Sequence, residues 1–322
     1  MATVDRKDII VTEGYEPLCD FCWNPGLTEP PPSGIIGVNA EHAAEFVKLC
    51  SLTSNNYIVV SQRSDLGLAR QVEHPVHEDM KKWITMLPRM GKEGFDFDNL
   101  GYKQLTITPR CNINKCDLED DYSIKCDAYT WSTIPQIPSN IKHWYVVNCM
   151  VTEPKVSGIP FGVLDCETAD SLCNVTRAEK REWLYINFYS YTLERSYLID
   201  HWSRQTEDMH FTTFVGKPKP VEEYFRDMSE HRYTFCPDGN GVDCFRTWEA
   251  LYLGSIPIVK RSRTTEQFAD LPILIVDDLF NITLSLLEEK YEEILLKKDN
   301  LDKIKLSYWN KIFKESRNEN CD

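Results

Sequence analysis

The residues best suited to chemistry lie between Phe235 and Val259. An apolar run ends at Cys236-Pro237, Gly239, Asn240 and Gly241 follow, and a helical pattern sets in at about Asp243. A strand, a glycine turn and a helix start, in that order, offer backbone N–H groups and the positive end of a helix dipole to an anion, in practice usually a phosphate. Asp243, Arg246 and Glu249 are three apart and fall on one side of such a helix, with Phe245, Trp248 and Tyr252 on the other. One face then packs while the other meets a ligand. The competing reading of Arg246 and Glu249 is an ordinary i,i+3 surface ion pair. Upstream, Asn187 and Thr192 follow the apolar run from Trp183 to Phe188, at what would be the carboxyl end of a strand, where open α/β folds bind their ligands. Arg195 is either a further cation for the anion or the partner of Glu194 or Asp200 on its own helix.

These residues need a scaffold, and the second half of the chain spells one. Strand patterns at 183–188, 211–215, 233–236, 256–259 and 274–276 alternate with helical patterns at 193–204, 221–230 and 244–253. Such alternation predicts a parallel sheet covered by helices on both faces. A polar stretch from Asp165 to Lys180 is the expected linker. Before it, a helix over 40–49 feeds a buried strand over 56–61, a second helix runs from His77 to Leu87, and another strand covers Trp144 to Asn148. Leu27 to Gly34, with three successive prolines, is a surface loop, and 91–140 reads as short strands and long loops. At the other end, Leu284, Leu287, Tyr291 and Ile294 mark an amphipathic helix, and Leu301 to Phe313 a last one.

The composition narrows the function. The chain has 322 residues, 42% hydrophobic and 27% charged, which is globular and long enough for two domains. A formal net charge of -14 disfavours nucleic-acid binding but leaves room for a local basic site. No apolar run is long enough to span a bilayer or to serve as a signal peptide. The twelve cysteines then read as reduced thiols and the compartment as cytoplasmic. Cys19-Asp-Phe-Cys22 has half of a zinc-site spacing, and Cys111, Cys116 and Cys126 offer no second close pair. Asn174-Val-Thr176 and Asn281-Ile-Thr283 are sequons in spelling only.

Pro237-x-Gly-x-Gly241, Asp243-Cys-x-Arg246-x-Trp-Glu249-Ala-Leu and Gly254-Ser-Ile-Pro-Ile-Val259 together resemble the donor-binding segment of exostosin-like glycosyltransferases. Trp144 to Asn148, Ile159-Pro-x-Gly162, and Tyr185-Ile-Asn-Phe188 with Thr192 and Arg195 agree, so the resemblance spans about residues 140 to 280. It implies a GT-B fold: an α/β protein of two Rossmann-like domains facing across a cleft, with a C-terminal helix crossing back to the N-terminal domain. The expected bounds are 1–165 for the acceptor domain, 175–300 for the donor domain and 301–322 for the crossing helix. The implied activity is inverting transfer of a sugar from a nucleotide sugar, UDP-linked by resemblance, to a hydroxyl of a glycan, without a metal. Arg246, Arg195 and the helix start at Asp243 would stabilise the leaving diphosphate, Glu249 would accept the ribose hydroxyls, and Asn187, Thr192, Pro237, Gly239, Asn240 and Gly241 complete the donor site. An inverting transfer needs a base on the opposing domain. Asp65, just past the strand at 57–60, is the first candidate, ahead of His74, His77 and Asp20. Two other readings stand: a metal-dependent GT-A enzyme using Asp96-x-Asp98, and a nucleotide-sugar or glycan-binding protein without catalysis.

Overall fold

The computed structural model describes residues 4–62, 106–107, 111–112, 117–118, 124–125, 137–151, 153–189, 193–205, 210–239 and 241–320. Within them, two parallel five-stranded sheets form the frame. The first holds β1 (Phe21–Trp23), β2 (Gly34–Val38), β3 (Tyr57–Ser61), β4 (Ile141–Val146) and β5 (Val156–Gly158), side by side in chain order. β2 and β3 are buried along their whole length, as expected of parallel strands covered on both faces.

Successive side chains of a strand point to opposite faces, and the two faces of this sheet belong to different cores. Ile36, Val59, Trp144 and Val146 pack with Phe46, Val47 and Cys50 of α1 (Ala43–Cys50). Ile35, Ile58, Val60 and Tyr145 face Tyr15, Trp309 and Phe313 instead. The last two lie on α8 (Leu306–Asn320). α1, which joins β2 to β3, packs on one face, so the other must be covered by a more distant part of the chain. The C-terminal helix does this. Phe313 lies 4.9 Å from the Tyr145 ring, the Tyr145 hydroxyl and Ser316 Oγ are 2.6 Å apart, and Asp8 accepts from both the backbone N–H and the hydroxyl of Ser307. The predicted crossing helix is therefore present, although it begins at Leu306, after a 3-10 run over Leu296–Ile304.

The second sheet holds β6 (Glu182–Ile186), β7 (Thr212–Phe214), β8 (His231–Phe235), β9 (Ile256–Lys260) and β10 (Leu274–Val276), in the order β7-β6-β8-β9-β10. Its helices are α3 (Leu193–Gln205), α4 (Val221–Glu230), α5 (Phe245–Leu253) and the short α6 (Arg263–Glu266), followed by α7 (Leu284–Leu295). The chain first steps from β6 to β7 and then crosses back past β6 to β8. Strand order therefore reverses between β6 and β8, the topological switch point where open α/β sheets leave a crevice.

The stretch expected to be a linker contains a helix, α2 (Cys166–Asn174), capped by Asp165 Oδ1 accepting from Thr168 N at 2.8 Å. Its buried residues are only Ala169 and Leu172, a stripe too narrow to register as a helical period but enough to seat it on the core. β1 and β2 were likewise not anticipated, because Gly34, Gly37 and the proline loop between them depress strand propensity. Gly162 (φ +78) shows why one glycine is required where the N-terminal segment crosses: a Cβ there would lie 2.3 Å from the Ile10 carbonyl oxygen, which accepts from Val163 N at 2.9 Å. The helix expected at 77–87 lies outside the described residues.

Candidate active site

At the carboxyl ends of β6 and β8, a cavity of about 310 Å³ is lined by Asn187, Tyr189, Arg195, Lys219, Val221, Tyr224, Cys244, Phe245, Arg246 and Glu249. It sits at the switch point of the second sheet. β6 delivers Asn187 one residue past its end, α4 supplies Val221 and Tyr224, and the first turns of α5 supply Phe245, Arg246 and Glu249.

α5 is firmly seated. Thr247 to Leu253 are all buried, Trp248 meets Phe268 edge-on at 5.0 Å, and Phe245 stacks on Phe161 of the preceding segment at 4.7 Å. Its C-terminal carbonyls are taken by cations, with Arg177 Nη2 donating to Tyr252 O at 2.7 Å and Lys180 Nζ to Leu253 O at 3.4 Å. These are favourable ends of a helix for positive charge. Burial, with Arg177 and Arg232 nearby, nevertheless lowers Lys180 to about 7.

Arg246 and Glu249 do not form the direct surface pair. Arg246 Nε donates to the Tyr224 hydroxyl at 3.1 Å, and that hydroxyl donates to Glu249 Oε2 at 2.9 Å. Tyr224 thus sets the spacing between a cation and an anion that both line the cavity. Among the described residues, the two Nη groups of Arg246 meet no hydrogen-bond acceptor. Burial pushes the Glu249 carboxyl up, against the opposing pull of Arg246 and of the Tyr224 hydrogen bond. Glu249 is 9% exposed, so its charge is held by those two partners rather than by water.

Arg195 is 5% exposed and fastens the glycine loop, donating from Nε to Asp238 O at 2.7 Å and from Nη2 to Pro237 O at 2.9 Å. Its expected helix partners are engaged elsewhere, Glu194 with Lys260 and Asp200 with Arg204. Burial lowers the Arg195 pKa, and the like charge of Arg246 adds to the effect. Asn187 Nδ2 donates to the Tyr185 hydroxyl at 2.9 Å, which donates to Asp227, itself paired with Lys219. Asn187 is thereby held from behind.

Of the residues proposed from sequence, Asn187, Arg195, Arg246 and Glu249 meet at this cavity, and Pro237, Gly239, Gly241 and Asp243 are not on its wall. The glycine loop's donors are partly spent within it, since Gly239 N bonds Gly241 O at 2.8 Å. Asp243 corrects the helical-face argument. α5 starts at Phe245, and Cys244 before it is extended (φ -133, ψ 152), so Asp243 does not share a face with Arg246. Its carboxylate turns inward, accepting from Phe161 N at 2.9 Å and Trp248 Nε1 at 2.8 Å, while its own N–H donates to Asn148 Oδ1 at 2.7 Å. It joins the two halves of the molecule. Asp20, a reserve choice for the base, precedes β1 at the amino end of the first sheet and accepts from Ile35 N. Asp65, His74, His77, Asp96, Asp98, Thr192 and Asn240 lie outside the described residues. Tyr189, Lys219, Val221 and Tyr224 were missed. Only their position just past a strand or at a helix start marks them in the sequence.

Two Rossmann-like units, the second with a polar cavity at its switch point and a terminal helix returning to the first, constitute the GT-B architecture. Residues 172–319 match the family model described as the RXYLT1 C-terminal domain. No curated protein matches the chain. Among solved structures, a UDP-forming alpha,alpha-trehalose-phosphate synthase from Burkholderia vietnamiensis is similar at 12% identity and a TM-score of 0.40, over 89% of this chain and 75% of that one. The corresponding enzyme from Burkholderia multivorans gives 10% and 0.39, over 90% and 72%. Among the described residues no helix is long and apolar enough to cross a membrane, and no cluster of His, Cys, Asp or Glu has a metal-holding arrangement.

Proposed function

We propose that the protein is an inverting glycosyltransferase that takes a sugar from a nucleotide sugar, UDP-linked in the first instance, and transfers it to a hydroxyl of a glycan. One observation carries the reading: the buried Arg195 and the half-buried Arg246, of like charge, converge beside Glu249 in a cavity at the switch point. A diphosphate relieves their repulsion, and the charge it gains on leaving is met by groups already held in place by hydrogen bonds and partly removed from water. Arg246 is the principal contact to the leaving group. Arg195 supports it and holds the Pro237 loop, and Glu249, aligned by Tyr224, accepts the ribose hydroxyls. Asn187 and Thr192 border the sugar side. Asp65 is the proposed base for the acceptor, on a donor/acceptor division of the chain at about residues 165–175.

The test is a screen of nucleotide sugars with glycan acceptors, read as released nucleoside diphosphate, with and without EDTA. Acceptor-dependent release that ignores EDTA is the expected result. A metal requirement overturns the metal-independent mechanism, and saturable binding of the diphosphate without turnover overturns catalysis.

Glu249→Gln keeps the side chain's shape but removes its charge. Affinity for the nucleoside diphosphate is expected to fall about tenfold to a hundredfold, the equivalent of about 1.5–3 kcal/mol for a charge-assisted contact. Calorimetric titration measures this directly; unchanged affinity would leave Glu249 as no more than an anchor for Tyr224. The companion variant Tyr224→Phe frees both neighbours without removing either, so a smaller loss of affinity is expected, with the fold retained.

A further inference from the structure

The Cys19-x-x-Cys22 pair lies on the first sheet, away from the donor cavity. The chain bends at Asp20, and Cys22, in β1, stands opposite Gly37 of β2. A Cβ built on Gly37 would lie 3.1 Å from Cys22 Sγ and 3.2 Å from Cys19 Sγ, so the two sulfurs converge over the space that this glycine leaves empty. Their exposure differs. Cys22 is exposed and Cys19 half-buried, with the Cys19 thiol donating to Tyr15 O at 3.4 Å. Burial, followed by the neighbouring Cys22, pushes the Cys19 thiol up. The turn between them is also a docking point. Asp20 Oδ2 accepts from Ile35 N at 2.9 Å, and Asp20 is the ion-pair partner of Arg317 on α8 at 3.4 Å.

We propose that Cys19 and Cys22 form a dithiol–disulfide site, in which the exposed Cys22 reacts first with a small-molecule disulfide and Cys19 resolves the product. In the first step the Cys22 thiolate attacks RSSR, forming a Cys22–SR mixed disulfide and releasing one thiolate. In the second, the Cys19 thiolate attacks the Cys22 sulfur, forming the Cys19–Cys22 bond and expelling the second thiolate. Two protons leave the protein, two electrons pass to RSSR, and two RSH result. No metal is involved, and the paired spacing that suggests half a zinc site is used without a second half. The closed bond would lock the turn that Arg317 grips, tying the edge of the first sheet to the way α8 docks.

The test treats the full chain with glutathione disulfide, quenches it by alkylation and maps the peptide that carries both cysteines. In the wild type the expected product is that peptide, lighter by two hydrogens and unalkylated. Cys19→Ser should instead accumulate glutathione on Cys22, and Cys22→Ser should leave Cys19 a thiol. Oxidation of the wild type should also raise its thermal midpoint by a few degrees, reversed by dithiothreitol, a shift absent from both variants. A glutathione adduct on Cys22 that persists equally in the wild type and in Cys19→Ser overturns the proposal, as do two alkylated thiols after treatment. Thermal unfolding of the reduced variants beside the reduced wild type confirms that each serine form is folded, so a negative result reports on the chemistry.

Discussion

Arg246→Ala is expected to lower sugar transfer by about a hundredfold to a thousandfold, the range for removing one preorganised stabiliser of developing charge. Nucleoside diphosphate binding should weaken in parallel, because the Nη groups of Arg246 meet no acceptor among the described residues and are available to a ligand. Folding should hardly change. What Arg246 gives to the fold is one hydrogen bond to Tyr224 and its attraction for Glu249. Its removal also relieves the like charge beside Arg195, and the Glu249 carboxyl, already pushed up by burial, can take a proton in its absence. Arg195→Ala should behave in the opposite way, because its guanidinium bonds the Pro237 and Asp238 carbonyls and their loss leaves polar groups unpaired in a buried place. Its thermal midpoint should fall clearly, whatever happens to turnover. Turnover and unfolding measured on both variants separate the two arginines. Near-wild-type transfer by Arg246→Ala would remove Arg246 from the leaving-group site.

The contrast between the two arginines also marks where sequence reasoning stopped. The second sheet was legible because each of its strands is a short apolar run between turn residues, and parallel strands covered on both faces leave that pattern. The strand, glycine loop and helix around Gly239 to Glu249 were legible because local chain chemistry determines them. What a residue does there depends on longer-range contacts. Tyr224 reads only as one more position in an amphipathic helix, since the groups it joins lie on another helix, and no spacing within α4 reports them. Asp243 was misread for a local reason. Counting by threes assumes the helix is already running, whereas Cys244 is extended and turns the preceding side chain toward Phe161 and Trp248. The cover of the first sheet by α8 was foreseen only through the family resemblance, because a helix near residue 310 carries no mark of the strand it will face.

The inward turn of Asp243 leads to the second large effect. Asp243→Asn is expected to destabilise the protein by about 2–4 kcal/mol, because the two acceptor oxygens serve two fixed donors, Phe161 N–H and Trp248 Nε1–H, and the amide presents an NH₂ to one of them. Because Phe161 precedes the second unit and Trp248 lies on α5, the loss should loosen the joint between the halves and lower donor affinity indirectly. The pH dependence gives a sharper test. Burial raises the Asp243 carboxyl to about 7, although its donors pull the other way, against about 4 in an unfolded chain. Between those values the folded state binds the extra proton, so the contribution of this group to stability is fully present below about pH 4 and is lost as pH rises through about 7. The asparagine variant has no such titration. The gap in unfolding free energy between wild type and Asp243→Asn should therefore be wider at pH 5 than at pH 8, with every other titrating group cancelling in the comparison. Chemical denaturation at the two pH values measures it. A gap that stays constant would mean that the donors around Asp243 outweigh its burial, keeping it a carboxylate throughout and making the joint insensitive to pH.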